Sequence, residues 1–123
     1  MIKPQEEFPL IEEYRKVFDI TDDTIFAYDH NIYTNNVLPK HLIIHEETHH
    51  KQQDKYGLDT WVTYYLTDAD FRLKMEVEAY KEQLKSINDR EERFHLRMEC
   101  IKNLTSSLYG NIVSPEEARR LLK

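Results

Sequence analysis

The chain of 123 residues holds a single cysteine, two glycines and four prolines. A lone Cys100 excludes an intramolecular disulfide and fits a reducing cytoplasm, and a packing role in a helix suits it better than catalysis. So little glycine and proline leaves no room for a flexible linker, and no repeat or low-complexity stretch is present. No apolar run reaches the roughly 18 residues of a membrane span. The N-terminal residues Met1 to Glu7 lack the apolar core of a secretory signal. Basic residues are also short, 17 Lys and Arg against 23 Asp and Glu. The net charge of −6 is spread over interspersed residues, which excludes the basic stripe that a nucleic-acid surface needs.

What is there suits one charged, soluble domain with one core: 40% hydrophobic and 33% charged residues. Phe8, Ile11, Tyr14, Val17 and Phe18 fall at helical spacing and predict an amphipathic helix over 6–19, with Pro9 early in it. Residues 24–28 and 32–34 read as two short strands joined by a polar turn at Asp29, His30 and Asn31. Pro39 suits the first turn of a helix that runs to Tyr56 and stops at Gly57. A short aromatic helix over 58–66 follows. The next helix, capped by Thr67 or Asp68, runs to Ile87. Asn88 and Asp89 turn the chain into a helix reaching Tyr109, with Phe94, Met98, Ile101, Leu104, Thr105 and Leu108 as its apolar stripe and Gly110 as its stop. Ser114, Pro115 and Glu117 have the spacing of a capping box for a terminal helix. The fold class is therefore α+β: a predominantly helical single domain with a small β-hairpin or sheet preceding the helix that starts at Pro39.

That helix carries His45, Glu46 and His49 in an H-E-x-x-H arrangement. Taking His45 as the reference, His49 and His41 each lie within roughly 40° on the helical wheel, while Lys40, Glu47 and Lys51 gather on the far side. Glu47 and Lys51 have the spacing of an ion pair on that solvated face. Two imidazoles four residues apart can aim at one Zn²⁺, and Glu46 can reach a water on its open side. His50 lies off the metal face as a rim residue. His30 and His95 read as surface residues, and His41 with His45 forms a weaker alternative pair.

A catalytic zinc takes three protein ligands. On the following helix Glu76 sits amid Leu73, Tyr80, Gln83 and Ile87, at the centre of the apolar face, while Glu78 lies with lysines on the solvated side. A carboxylate turned into a core needs a metal, a proton or a partner. Glu76 is thus the candidate third ligand, with a buried ion pair to Arg72 as the other way to satisfy it.

His45-Glu46-x-x-His49, followed by Glu76-x-x-Ala79 on a later helix, resembles the zincin superfamily of zinc metallopeptidases in its gluzincin branch, over roughly residues 24–84. The resemblance implies a minimal zincin-like fold and Zn²⁺ held by His45, His49 and Glu76, with Glu46 as general base and then acid. It also implies a peptide or protein substrate laid along the edge strand of the hairpin. Larger gluzincins carry an Asp four residues after the ligand glutamate; Tyr80 stands there here, placed to donate to the oxyanion or to pack. Tyr65 and Arg72 are further candidates for steadying that oxyanion. Two other readings use the same residues: a zincin-fold module that binds metal without hydrolysis, and a helical interaction protein without metal.

Overall fold

The computed structural model describes residues 1–106, 109–110 and 112–123. Among them run β1 (Ile2–Lys3), a 3₁₀ turn (Gln5–Glu7), α1 (Ile11–Arg15), β2 (Phe26–Tyr28), β3 (Asn31–Tyr33), α2 (Lys40–Tyr56), α3 (Leu58–Thr67), α4 (Ala69–Lys85), α5 (Arg90–Leu104) and α6 (Pro115–Leu121). The chain is mostly helical with one three-stranded sheet, in the order β1-β3-β2.

The hairpin forms as its residues suggest. Tyr28 pairs with Asn31 across a two-residue turn in which Asp29 (φ 50°) and His30 (φ 64°) both adopt left-handed conformations, the geometry that matches strand twist. β1 was not foreseen. Ile2 and Lys3 add in parallel to β3, a two-residue strand too short to carry a periodic pattern. β2 is left at an edge of the sheet.

The long N-terminal helix expected over 6–19 is not formed. Only Ile11–Arg15 is α-helical. Phe8 is extended (φ −62°, ψ 117°), the conformation that a following proline imposes, so Pro9 splits the segment rather than opening it. Phe8, Tyr14 and Phe18 still bury their rings, whereas Val17 is exposed.

α2 begins after Pro39, and the chain reverses at Gly57 (φ 89°), which ends α2 and directly precedes α3. A side chain would strain that backbone. The Asp68 carboxylate accepts the N–H groups of Asp70 and Phe71 and starts α4, and the Asp89 carboxylate accepts from Glu92 to start α5. α4 packs along α2 more extensively than any other pair of elements.

α5 ends at Leu104 rather than near Tyr109. The Thr105 hydroxyl donates to the Lys102 carbonyl and the Ser106 hydroxyl to the Asn103 carbonyl, side-chain bonds that compete with further helix. Its apolar stripe is also shifted: Cys100, Ile101 and Leu104 are buried, but Phe94 and Met98 are exposed, and Leu108 lies outside the described residues. At α6 the Ser114 hydroxyl accepts from the Glu117 N–H, while the Glu117 carboxylate turns to Arg120, so half of the capping box forms.

Two apolar clusters result. One gathers rings from the N-terminal segment, the sheet and α3 around Met75; the other joins Tyr80 to Cys100, Ile101, Leu104, Ala118 and Leu122. Glu76 lies between them in sequence on α4. No helix among the described residues is long and apolar enough to cross a membrane.

Candidate metal centre

The face that α2 buries is wholly polar: His45, Glu46, Thr48, His49, His50, Gln52 and Gln53. Buried polar groups are tolerated when each is hydrogen-bonded, and here the partners are specific. Gln53 donates to the Ala27 carbonyl and accepts from the Asp29 N–H, and His50 Nε2 bonds the Asn31 carbonyl, so these two residues fix the hairpin to α2. His50 is therefore a buried clamp rather than a rim residue. His30 and His95 are exposed, and His30 pairs with Asp54 at 2.8 Å. Lys40, Glu47 and Lys51 form the exposed side as expected, though no Glu47–Lys51 ion pair is present among the described contacts.

His45, His49 and Glu76 converge. His45 Nε2 lies 3.1 Å from Glu76 Oε1 and His49 Nε2 lies 3.0 Å from Glu76 Oε2. One ligand atom from each of the three falls within 4.8 Å of the others. Tetrahedral zinc with bonds of about 2.0–2.1 Å holds its donors roughly 3.3 Å apart, so the trio fits such an ion with small side-chain movements. The Arg72 alternative is not realised. Glu76 is 1% exposed, and its partners are the two imidazoles and the Tyr65 hydroxyl, which donates to Oε2 at 2.7 Å. Arg72 instead donates through Nε to the Tyr109 carbonyl and stacks over Phe18 and Tyr65.

Each imidazole is oriented from behind by a glutamine. Trp61 Nε1–H, which can only donate, bonds Gln52 Oε1 at 3.3 Å, and the Gln52 amide donates to the Met75 carbonyl and to Glu78 Oε1. His49 Nδ1, 2.9 Å from the same Gln52 oxygen, is therefore its N–H donor, leaving Nε2 toward Glu76. Gln83 acts likewise on His45: Oε1 lies 3.0 Å from His45 Nδ1, and the amide donates to His41 Nδ1 at 2.7 Å. His41 thus stands behind His45 as a buttress. Glu78 is exposed but also braces Gln52. Tyr80 sets its ring edge-on to His45 at 4.6 Å, and its hydroxyl bonds that of Tyr109 at 2.6 Å.

Neither Gln83 nor Tyr14 was expected from the sequence as a site residue. Gln83 carried a usable signal, since it shares the inward face with Glu76. An uncharged amide on such a face wants a polar partner.

Beside the trio lies a cavity of about 360 Å³, whose walls include Thr24, Ile25, Phe26 and Ala27, the metal-ligand candidates and Glu46. Glu46 Oε2 is 3.9 Å from His45 Nε2, and among the described residues no hydrogen bond occupies its carboxylate. Burial pushes the Glu46 carboxyl up and Glu76 adds to this, against the opposing pull of both imidazoles. Burial would also raise Glu76, but His49 and the hydrogen bonds from both imidazoles override it and hold that carboxyl well below the usual range. Burial alone would lower His49. Glu76, then Glu46 and the Gln52 bond, carry it up to about 9.

None of the comparisons of this chain with protein-family models, with curated proteins and with solved structures found a match.

Two outcomes follow from the geometry. In the metal-free protein the raised His49 stabilises fully below its ordinary 6.5 and loses that contribution as pH rises through about 9. The depressed Glu76 contributes above its ordinary 4.5 and loses its contribution on acidification. Melting temperatures of chelator-treated protein should therefore be highest between those two values and fall toward about pH 10, whereas zinc, which needs the neutral imidazole, should preserve the alkaline stability. Equal alkaline losses with and without zinc would contradict this. Second, Gln83→Leu should weaken zinc binding about 10–100-fold in chelator competition, with Gln83→Glu restoring it. An unchanged affinity in the leucine variant would remove Gln83 from the site.

Proposed function

We propose that the protein is a soluble zinc-dependent peptidase acting on a peptide or protein substrate, in a reducing compartment such as the cytoplasm. The observation that carries the reading is a buried trio of two imidazoles and one carboxylate, with a second carboxylate, Glu46, that faces the same cavity and takes no hydrogen bond among the described residues. His45, His49 and Glu76 would hold the ion. Bound zinc supplies Lewis acidity and a water whose pKa is lowered to about 7.

The chain's own groups account for the rest. Glu46, with its carboxyl raised by burial, takes the proton of the attacking water and passes it to the departing amine nitrogen. Gln52 and Gln83 hold the imidazole rings so that their Nε2 atoms face inward. Thr24 and Ile25, with Phe26 and Ala27 of the edge strand β2 that follows them, form a wall along which an extended peptide can lie. The Ala27 carbonyl is taken by Gln53, the Thr24 carbonyl by Gln5 and the Thr24 N–H by the Thr21 carbonyl, so the grip there falls to backbone groups of the segment other than these.

A metal-binding module without hydrolysis would use the same trio, but it would have no use for Glu46 as a group free of hydrogen bonds beside it. Glu46→Gln should retain about one zinc per chain and lower cleavage of a peptide library by about 10²–10⁴-fold. Glu76→Gln should lose the metal and Glu78→Gln should keep it. Cleavage that persists in Glu46→Gln contradicts the mechanism, and metal loss confined to Glu78→Gln contradicts the ligand assignment.

A further inference from the structure

Two side-chain polar atoms fully shut off from solvent have no hydrogen-bond partner among the described residues: the Tyr14 hydroxyl and Arg72 Nη1. A buried hydroxyl without a partner is costly and uncommon, so its persistence points to an acceptor that arrives with a ligand. Tyr14 is 5% exposed and lines the cavity that holds His45, Glu46, His49 and Glu76. Arg72 is not on that wall.

The Tyr14 ring is fixed on several sides. It meets Phe8 edge-on at 4.9 Å and Phe26 at 5.5 Å, tilts against Phe18 at 5.8 Å, and stacks on Tyr65 at 6.1 Å. Tyr65 in turn bonds Glu76. Burial, with Glu76 and Glu46 nearby, pushes the Tyr14 phenol well up and keeps it a donor. The other two phenols considered from the sequence or engaged at the trio have partners: Tyr65 is held by Glu76, and Tyr80 by Tyr109. A rigid, protonated and unpartnered donor on the wall of a reaction cavity is the arrangement that stabilises charge developing on a substrate.

We propose that Tyr14 is a catalytic residue whose hydroxyl hydrogen-bonds the scissile carbonyl oxygen as that oxygen gains negative charge. The assignment rests on the peptidase reading. The water oxygen bonds to the carbonyl carbon, and the π pair of the C=O bond moves onto the oxygen, which accepts the Tyr14 O–H without taking its proton. The water's proton goes to Glu46 and then to the amine nitrogen as the C–N bond breaks and C=O re-forms.

Tyr14→Phe in the full-length, zinc-loaded chain tests this with three measurements: melting temperature, zinc affinity by chelator competition, and the kinetics of a peptide cleaved by the wild type. The expected result is a melting temperature equal to or above wild type, unchanged zinc affinity, and kcat lowered about 10²–10³-fold with KM within about threefold. A lower melting temperature or failure to fold would give the hydroxyl a structural role and overturn the assignment. Wild-type kcat in the variant would overturn it while leaving the peptidase reading intact. If the zinc-loaded wild type cleaves no member of a peptide library, the peptidase reading fails and Tyr14's role falls with it.

Discussion

A carboxylate almost fully removed from water, Glu76, meets two imidazoles at 3.0–3.1 Å, and the organisation of the chain follows from that contact. Leaving such a carboxylate unpaired would cost several kcal/mol, a large share of a small domain's net stability. An apolar partner cannot offset it. Histidines can, as cations sharing charge with the carboxylate or as neutral ligands sharing a metal with it. α2 and α4, whose joining residues are about as long as one short helix, pack side by side so that this encounter takes place in the interior.

Placing it there requires a helix whose fully buried positions hold no large apolar side chain. Every residue fully buried from α2 is polar; its own apolar side chains, Leu42, Ile43, Ile44 and Tyr56, are only half-buried, so most of the apolar packing around it is supplied by its neighbours. The ring cluster around Phe8, Trp61 and Tyr65 closes one side, and Tyr80 with the α5 and α6 side chains closes the other. Glutamine is the economical buttress here. Its oxygen accepts an imidazole N–H while its amide donates elsewhere, so Gln52 and Gln83 tie the two imidazoles to the backbone and to His41 without adding buried charge. A carboxylate in those places would make the imidazoles more basic and the buried cluster more negative.

The helical period made α2 and α4 legible, and the wheel separated inward Glu76 from outward Glu78, because a polar residue on an apolar face is informative by itself. Local rules failed where a single residue or a distant partner decides. Pro9 halts a segment whose apolar spacing is otherwise helical, since its effect on Phe8 is steric and ignores periodicity. β1 exists only because β3 is there to receive it. The burial of Phe94 and Met98 was expected from spacing, but α4 and α6 contact a rotated face of α5. Gln52, Gln83 and Tyr14 acquire their meaning from atoms far along the chain, which no window of sequence contains.

In the proposed reading, two helices present two imidazole nitrogens and one carboxylate to a single ion. Zinc X-ray absorption fine structure on the reconstituted wild-type protein addresses it directly. One zinc per chain is expected, with scattering from two imidazole rings and a carboxylate oxygen at about 2.0–2.1 Å. A shell of oxygens alone, a single imidazole, or no stoichiometric zinc would contradict it.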